Sequence, residues 1–317
     1  MSVSVPNAMT IDVEDYFQVS GFEKKIRRAN WDQFESRVVA STERLLAVLD
    51  DANVRGTFFI LGWVAQRHPS LVRRIAREGH EIASHGFWHQ LVYSLTPEAF
   101  AKDLADSKEA IASACGVVPT AYRAPSFSIT GKSLWALEIL VQQGFKVDSS
   151  VFPIRGHDRY GMPNAKKEIH WIQTPAGRIR EFPPSIARVR GVSVPVGGGY
   201  FRLLPWGMTS QAIRRIQAHG RPAMFYTHPW EVDPGQPRIR GIERRSRFRH
   251  YVGLKRTEGR LRRMLSTYPF DTMESVLRAV ESRTTDANGA SCDAAETLGE
   301  NANLVASQNV AFKENEA

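Results

Sequence analysis

Short buried strands alternate with helices along the first half of the chain, and this alternation constrains the fold more than any other feature. Apolar runs predict strands at residues 8–13, 56–61, 80–84, 120–123 and 145–147. Apolar positions at helical spacing, with matching start and stop signals, predict helices at 31–50, 69–78, 97–114 and 131–143. Regular alternation of this kind is typical of βαβ units around a parallel sheet. The sequence therefore predicts an α/β fold.

The alternation is interrupted between residues 151 and 205 and then resumes. Residues 170–172 and 178–182 flank a Pro-Ala-Gly turn, which predicts a hairpin. The glycine-rich stretch 197–200 predicts a flexible or tightly bent loop. The following pattern predicts a strand at 223–226 and helices near 208–219, 254–266 and 272–282. From residue 284 onward large apolar residues are few, so we expect a disordered tail over 284–317.

Composition places the chain among ordinary globular proteins. Hydrophobic residues make up 42% and charged residues 24% of its 317 residues, which excludes a fibrous or wholly disordered chain. No apolar run approaches the roughly 20 residues that span a bilayer. Residues 1–9 lack the pattern of a secretory signal. Because Cys115 and Cys292 form no disulfide framework, we expect a cytoplasmic protein, with peripheral contact at the inner face of the membrane as one option.

The net charge of +9 is concentrated in one segment. Between Arg238 and Arg263 there are eleven Arg or Lys residues and two acids, Glu243 and Glu258. Such a segment could contact phosphates, an anionic polysaccharide or an anionic membrane surface. The alternative is a solvated arginine face that pairs with acids elsewhere in the chain. No nucleic-acid-binding motif accompanies the segment, so no nucleic acid is expected.

Residues that can carry chemistry follow the predicted strands. The six residues at such positions are Asp12, His85, His89, Arg123, Asp148 and His228. Because the carboxyl ends of parallel strands gather at one edge of a sheet, we expect these side chains to lie together. The four-residue spacing of His85 and His89 lets both imidazoles face one point, and neutral imidazole is a ligand of zinc and similar metals. The sequence therefore predicts a metal-assisted hydrolytic site.

The chain resembles the polysaccharide deacetylase family, which is also known as the NodB homology domain and as carbohydrate esterase family 4. Six stretches carry the resemblance, at residues 10–17, 56–59, 79–89, 122–127, 148–150 and 225–229. The Asp-Val-Glu-Asp-Tyr-Phe stretch and the basic C-terminal extension most resemble the deacetylases found with exopolysaccharide and exosortase loci. The resemblance implies a distorted (β/α) barrel over residues 1–230, with a basic extension, 231–283, packed on the barrel.

The resemblance also implies a role for each candidate residue. Asp12 matches the catalytic base, and Arg123 matches the residue that orients this base. His228 matches the general acid that protonates the leaving amine. Asp148 matches an acid that orients His228 and raises its pKa.

One divalent metal ion is implied as the cofactor, and zinc is the expected metal. His85 and His89 match its two imidazole ligands. The carboxylate ligand stays open, because the family usually has two adjacent aspartates and this chain has Asp12, Glu14 and Asp15. The period of two along a strand favours Glu14, whereas the identity of the side chain favours Asp15.

Two other departures from the family pattern concern the loops. Gly86 stands where the family usually has Ser or Thr, so one hydrogen bond of that loop is expected to be missing. The fourth motif is not clear in the sequence. Residues 181–185 and Trp171 are candidates for the substrate wall, and both could equally be core and turn.

The function implied is a metal-dependent hydrolase that removes N-acetyl groups from a polysaccharide or its lipid-linked precursor in exopolysaccharide biosynthesis. One alternative is a metal-independent amidohydrolase acting on a small molecule, similar to allantoinase. Another is a non-catalytic barrel that binds glycans or a membrane through its basic segment. An N-acetylated polysaccharide or glycolipid is thus the expected partner.

Overall fold

The computed structural model describes residues 5–155 and 160–289. Strands and helices alternate as the sequence predicts, which confirms the α/β fold class. The strands of this structure are β1 (Asn7–Val13), β2 (Thr57–Ile60), β3 (Glu81–Ser84), β4 (Ala121–Tyr122), β5 (Val147–Asp148), β6 (His170–Thr174), β7 (Gly177–Glu181), β8 (Ile186–Val189), β9 (Val192–Pro195), β10 (Met224–Thr227) and β11 (Phe270–Asp271).

The helices lie between these strands and after them. They are α1 (Val38–Asp51), α2 (Gly62–Arg67), α3 (Pro69–Arg77), α4 (Pro97–Cys115), α5 (Trp135–Gln142), α6 (Gly198–Leu203), α7 (Trp206–Ala218), α8 (Arg244–Tyr251), α9 (Leu254–Thr267) and α10 (Met273–Gly289). The helix predicted over residues 97–114 begins as its sequence indicates. Thr96 caps α4 by accepting a hydrogen bond from the Ala99 N–H at 3.2 Å, and Gly116 ends it in the left-handed conformation.

The main sheet runs in the order β10-β1-β2-β3-β4-β5-β7-β6. All neighbours in this order are parallel except β6 and β7, which form the predicted antiparallel hairpin. Strand β11 also pairs with β1, in parallel. Among the described residues the strand pairs do not close the sheet into a ring. All seven residues of β1 are buried, as expected of a strand with neighbours on both sides.

Several regions differ from the sequence prediction. Helix α1 begins at Val38 rather than residue 31, because Asp15 binds the N–H groups of Arg37 and Val38 at its start and residues 28–33 form a 3-10 turn instead. The glycine-rich stretch is not only a loop, since it turns into α6 at Gly198. The hairpin of β8 and β9 was not predicted, and neither was α8, whose many arginines hide any apolar period.

The chain forms two units, one up to Leu277 and a second from Arg278. The first unit includes most of the segment predicted as a basic extension. Helix α10 continues into the predicted tail as far as Gly289, and the rest of that tail lies outside the described residues. Within the described ranges, no helix combines the length and the apolar character that a membrane span requires.

Candidate active site

The predicted site residues converge at the carboxyl edge of the parallel sheet. Asp12 and Glu14 come from the end of β1, His85 and His89 from the loop after β3, and His228 follows β10. These five residues line one pocket of about 370 Å³. Residues more than 200 positions apart therefore meet because parallel strands place their ends together.

Glu14, His85 and His89 form a candidate metal centre. Their ligand atoms all lie within 4.8 Å of one another, and all three side chains are buried. Glu14 Oε2 lies 2.6 Å from His89 Nε2, yet this oxygen has no hydrogen-bond partner with acceptable geometry among the described residues. Two imidazoles and a carboxylate are a common ligand set of a catalytic zinc site.

The neighbouring groups prepare these side chains to bind a metal. His85 Nδ1 is 2.8 Å from the Arg123 carbonyl oxygen, to which it donates, so Nε2 keeps its lone pair. Burial lowers the pKa of His85 to about 4, which keeps the ring neutral. Burial opposes ionisation of Glu14, but the nearby histidines outweigh it and hold its pKa well below the usual range. Trp230 Nε1 donates to Glu14 Oε1 at 3.0 Å. The residues present therefore fit a divalent metal.

The loop that carries the two histidines is held by backbone contacts. Gly86 has φ +73°, and a Cβ there would lie 2.7 Å from Asp103 Oδ2. The Asp103 carboxylate accepts hydrogen bonds from the Phe87 and Trp88 N–H groups at 2.8 and 3.1 Å. His89 itself has φ +51°, a strained conformation for a residue with a side chain. The Asp103 carboxylate thus stabilises the conformation of the loop that carries His85 and His89.

Asp12 is paired with Arg123, as the resemblance implied. Arg123 Nη1 donates to Asp12 Oδ1 at 2.6 Å and to Thr10 Oγ1 at 2.9 Å, and its guanidinium lies 4.0 Å from the centre of the Phe59 ring. The other carboxylate oxygen, Asp12 Oδ2, is 3.8 Å from His228 Nε2. One oxygen of Asp12 is thus fixed, and the other faces the histidine.

The acid that contacts His228 is Glu231, three residues further along the chain. His228 Nδ1 donates to Glu231 Oε1 at 2.5 Å, while Arg202 Nε donates to Glu231 Oε2 at 2.8 Å. Burial alone would lower the pKa of His228. The hydrogen bond to Glu231 and the charges of Glu14, Glu231 and Asp12 raise this pKa to about 9.

The structure places Asp148 elsewhere, which corrects the expectation that it orients His228. Asp148 Oδ1 accepts a hydrogen bond from Ser150 Oγ at 2.6 Å, and its carboxyl pairs with that of Glu181 on the neighbouring strand β7. Burial raises the pKa of both groups, and the proximity of Asp148 raises that of Glu181 further. Their proximity favours a protonated form of at least one of the two carboxyls, because two adjacent buried charges would be costly.

Asp15 is separated from the metal centre although it follows Glu14 directly. Its carboxylate accepts hydrogen bonds from Ser36 Oγ at 2.8 Å and from the N–H groups of Arg37 and Val38 at 2.8 and 3.1 Å. The Asp15 carboxylate thus caps the N-terminus of α1. Burial raises the pKa of Asp15 to about 6. Of the two open candidates, the structure places Glu14 with the histidines.

Sequence reasoning missed three residues of this site, namely Arg202, Trp230 and Glu231. A signal existed for Glu231, since a Pro-initiated turn after His228 brings a residue three positions later onto the same side. No signal identified Arg202, which follows the glycine-rich stretch. Trp171, a candidate for the substrate wall, does not line the pocket. Its ring contacts the guanidinium groups of Arg178 and Arg180.

Comparison with protein-family models gives two matches. Residues 26–146 match the polysaccharide deacetylase family, and residues 149–278 match a domain of unknown function, DUF3473. Asp12 and Glu14 precede the first match, whereas His228 and Glu231 fall in the second. The site is therefore built from three parts of the chain.

Two of the curated relatives are named as deacetylases. A chitooligosaccharide deacetylase of Rhizobium leguminosarum bv. trifolii is 42% identical over 74 residues, which are 23% of this chain and 34% of the relative. A peptidoglycan-N-acetylglucosamine deacetylase of Bacillus cereus is 33% identical over 98 residues, which are 31% of this chain and 36% of the relative. The chain thus spans about a third of the length of these two relatives.

Solved structures show the same fold over most of the chain. A candidate polysaccharide deacetylase from Mycobacterium smegmatis superposes with a TM-score of 0.53 at 20% identity, covering 93% of each chain. At this identity the likeness concerns the fold, and it confirms the mixed α/β architecture of the NodB type.

Proposed function

The chain carries a polysaccharide deacetylase domain of the NodB type, and from this premise we propose that it is a metal-dependent hydrolase that removes N-acetyl groups from a glycan and releases acetate. The observation that carries the proposal is the buried Glu14, His85 and His89 cluster, with Asp12 and His228 in the same pocket. The names of the curated relatives support the reaction class.

Glu14, His85 and His89 would hold the metal, with zinc proposed from the two imidazoles and the carboxylate. When bound, a divalent metal acts as a Lewis acid that polarises the acetyl carbonyl and makes a water more acidic. Trp230 and the Arg123 carbonyl orient two of the ligands through the hydrogen bonds described above.

Asp12 accepts a proton from the attacking water through Oδ2, because Oδ1 is occupied by Arg123. The water oxygen bonds to the acetyl carbon, and the bond from this carbon to the sugar nitrogen then breaks. His228 donates its Nε2 proton to the leaving nitrogen, so the products are acetate and a free amine. Glu231 keeps the His228 ring in place through Nδ1.

The substrate proposed is an N-acetylated polysaccharide or a glycolipid precursor. A role in exopolysaccharide biosynthesis and a cytoplasmic location are proposals supported by the resemblance of residues 12–17 and of the basic segment to exopolysaccharide-locus deacetylases. The metal-independent amidohydrolase is disfavoured, since it gives no reason to bury two histidines against Glu14.

Metal content and acetate release test the proposal together. We expect about one zinc per chain in protein purified without chelator, measured by mass spectrometry, and acetate release from N-acetylated oligosaccharides. The double variant His85→Ala/His89→Ala should lose both. His219→Ala, which removes an exposed histidine at the end of α7, is the matched control and should retain both.

Asp12→Asn separates catalysis from metal binding. It should keep the zinc and lower kcat by at least about 100-fold, because it removes the proton acceptor. Acetate release that survives both this change and complete removal of the metal would refute the proposed mechanism.

A further inference from the structure

We propose that the exposed face of α8 and the pocket mouth beside it dock on an anionic lipid surface, so that the mouth faces the membrane. Two observations carry this inference, namely exposed arginines around the mouth and exposed apolar side chains at the mouth itself. The docking surface is defined as Leu203, Arg244, Arg245, Arg247 and Phe248. Docking does not depend on the proposed function, because none of these five residues belongs to the candidate metal centre.

Helix α8 presents arginine and phenylalanine side chains on one face. Arg244 and Arg245 precede Phe248 by four and three positions, a spacing that brings side chains together on a helix. Both arginines are exposed, and so is Arg247. The Phe248 side chain is 57% exposed. An exposed aromatic ring beside arginines is typical of helices that lie at a membrane interface.

A second apolar side chain is exposed at the same mouth. Leu203 is 49% exposed and lines the pocket together with Phe248. Leu203 is the last residue of α6, so two separate helices contribute apolar side chains to the mouth. Single exposed apolar residues are ordinary, whereas an apolar patch bordered by polar residues often marks a surface for a partner or a membrane.

The surface around the mouth is strongly basic. Residues 238–247 contain five arginines and one acid, Glu243. Glu243 lies 3.8 Å from Lys24, and a Cβ at Gly241 would lie 3.3 Å from Lys25 Cε, so two lysines lie close to the same segment. A cluster of positive charges of this kind attracts anionic lipid headgroups.

The position of the three arginines favours a flat partner over a ligand held in the pocket. Arg244, Arg245 and Arg247 do not belong to the lining of the pocket. A sugar bound at the metal centre would lie inside the pocket, away from these arginines. A bilayer that covers the mouth would contact the arginines with its anionic headgroups and the two apolar side chains with the layer beneath the headgroups.

The docking surface has a fixed orientation relative to the candidate site. Arg202 donates to the carbonyl oxygens of His250 and Val252 at 2.7 Å each, which holds the end of α8 in place. The His250 ring stacks on Trp230 with the ring centres 4.2 Å apart. Trp230 in turn donates to Glu14 of the metal centre. A membrane bound by this surface would therefore meet the pocket in one orientation.

Vesicle flotation with the full chain tests the inference. The two probes are vesicles of phosphatidylcholine alone and vesicles of phosphatidylcholine with about 30% phosphatidylglycerol, an anionic lipid. In about 0.1 M salt we expect binding to the anionic vesicles to be about tenfold or more stronger than to the neutral ones. The preference should decrease at about 0.5 M salt, where exposed charges are screened.

Two variants with a matched control locate the docking surface. Arg244→Gln/Arg245→Gln should weaken binding to the anionic vesicles about 25-fold, because each basic residue near such a surface contributes about fivefold. Phe248→Ser should weaken it about tenfold, because the variant loses the buried aromatic ring. The control is Arg77→Gln/Lys146→Gln, which removes the same charge from exposed residues before β3 and β5. The control should bind nearly as the unmodified chain does, because these residues lie at the opposite edge of the sheet.

Circular dichroism and zinc content show whether each variant is folded. A further measurement rests on the proposed function and uses two substrates, a lipid-linked N-acetylglucosamine in anionic vesicles and a soluble tetrasaccharide of N-acetylglucosamine. In Arg244→Gln/Arg245→Gln, kcat/KM for acetate release should decrease about 25-fold for the first substrate and stay unchanged for the second. Vesicle binding without acetate release from either substrate would refute the proposed function while supporting the docking.

Absence of binding to the anionic vesicles would overturn the inference. Equal losses in Arg244→Gln/Arg245→Gln and in the control would also overturn it, because they would indicate an effect of net charge alone. Unchanged binding of Phe248→Ser would contradict the contact with the apolar layer and overturn it as well. Alginate, a soluble anionic polysaccharide, is the competing probe. Tighter binding of alginate than of vesicles, with the same losses in the variants, would replace the membrane by a polysaccharide partner.

Discussion

Glu231, rather than Asp148, is the acid that contacts His228. It binds His228 on one side and Arg202 on the other, so its carboxylate is fixed at both oxygens. Groups that hydrogen-bond a catalytic or ligating histidine typically affect function 10- to 100-fold when replaced. Under the proposed function, Glu231 is accordingly a positioning residue for His228.

Glu231→Gln should lower kcat by about 10- to 100-fold and bring the pKa of His228 down from about 9, because the carboxylate that stabilises the imidazolium is lost. NMR titration of the zinc-free chain measures this pKa. The comparison variant is Asp148→Asn, which should leave the pKa of His228 in place because Asp148 pairs with Ser150 and Glu181. The opposite pattern would restore the role first expected of Asp148.

His80 makes stability depend on pH. Its Nδ1 accepts a hydrogen bond from the Gly56 N–H at 3.2 Å, and burial lowers its pKa from 6.5 to about 4. The unfolded chain therefore binds this proton more readily, so the contribution of His80 is complete above pH 6.5 and declines as the pH falls toward 4. Urea unfolding should show a weaker loss of stability over this range in His80→Gln than in the unmodified chain. His219→Gln, at an exposed histidine, should not weaken the loss.

Some residues of the candidate site could be predicted from the sequence and others could not, for a physical reason. Asp12, His85, His89, Arg123 and His228 follow strands, and strand ends in a parallel sheet share one edge. The choice between Glu14 and Asp15 depended on a turn, in which the Glu14 N–H bonds the Asp12 carbonyl at 3.1 Å. Asp148 also follows a strand, but its carboxyl points to the neighbouring strand, and strand position alone does not specify that direction.

At the scale of elements, the histidine loop depends on the conformation of Gly86. Gly86→Ala should destabilise the fold by about 1–2 kcal/mol through its left-handed φ and should weaken zinc binding, since the new Cβ would push against Asp103. Urea unfolding and zinc competition measure the two effects. Gly116→Ala is a matched control with φ +78° and no atom within 4 Å of the Cβ. Gly116→Ala should lose a similar amount of stability but should keep its zinc affinity. Equal zinc affinities of the two variants would contradict the prediction.

The paired strands β5 and β7 carry a second pH dependence, of opposite sign. Glu181 has a pKa raised well above 4.5, so the folded chain binds its proton more readily than the unfolded chain. This contribution is complete below pH 4.5 and is lost as the pH rises through the folded value. Glu181→Gln should therefore lose less stability than the unmodified chain as the pH increases from 4.5 to 9 in urea unfolding. Glu109→Gln, at an exposed acid on α4, should behave as the unmodified chain does.

Elements with a clear period were predicted well, and those stabilised by distant contacts were not. The helices α3, α4, α7 and α9 have apolar stripes and recognisable ends. Helix α6 starts in a glycine-rich stretch because Gly197 and Gly198 approach Tyr226 so closely that a Cβ would lie about 2.5 Å from it. Such an approach between residues distant in sequence leaves no local pattern.

At the scale of the whole molecule, residues 234–277 belong to the same compact unit as the site. Strand β11 pairs with β1, and the Asn7 N–H donates to the Pro269 carbonyl at 2.9 Å. A chain that ends at Asp233 should therefore lose cooperative unfolding and zinc binding, as measured by circular dichroism and metal analysis. A chain that ends at residue 289 keeps every described element and should retain both. A fully stable, zinc-binding shorter chain would support the boundary that the sequence placed at residue 230.

The contact of Arg202 with both Glu231 and the end of α8 also has an evolutionary consequence. Under the proposed function, the two regions that family models recognise separately would not act as independent modules, because residues 26–146 would supply the metal-binding histidines and residues 149–278 the proton donor. A chimera that combines halves from distant relatives would join two incomplete sites. Among natural homologues, positions 202 and 231 are expected to co-vary, so a lineage that replaces one must also replace the other.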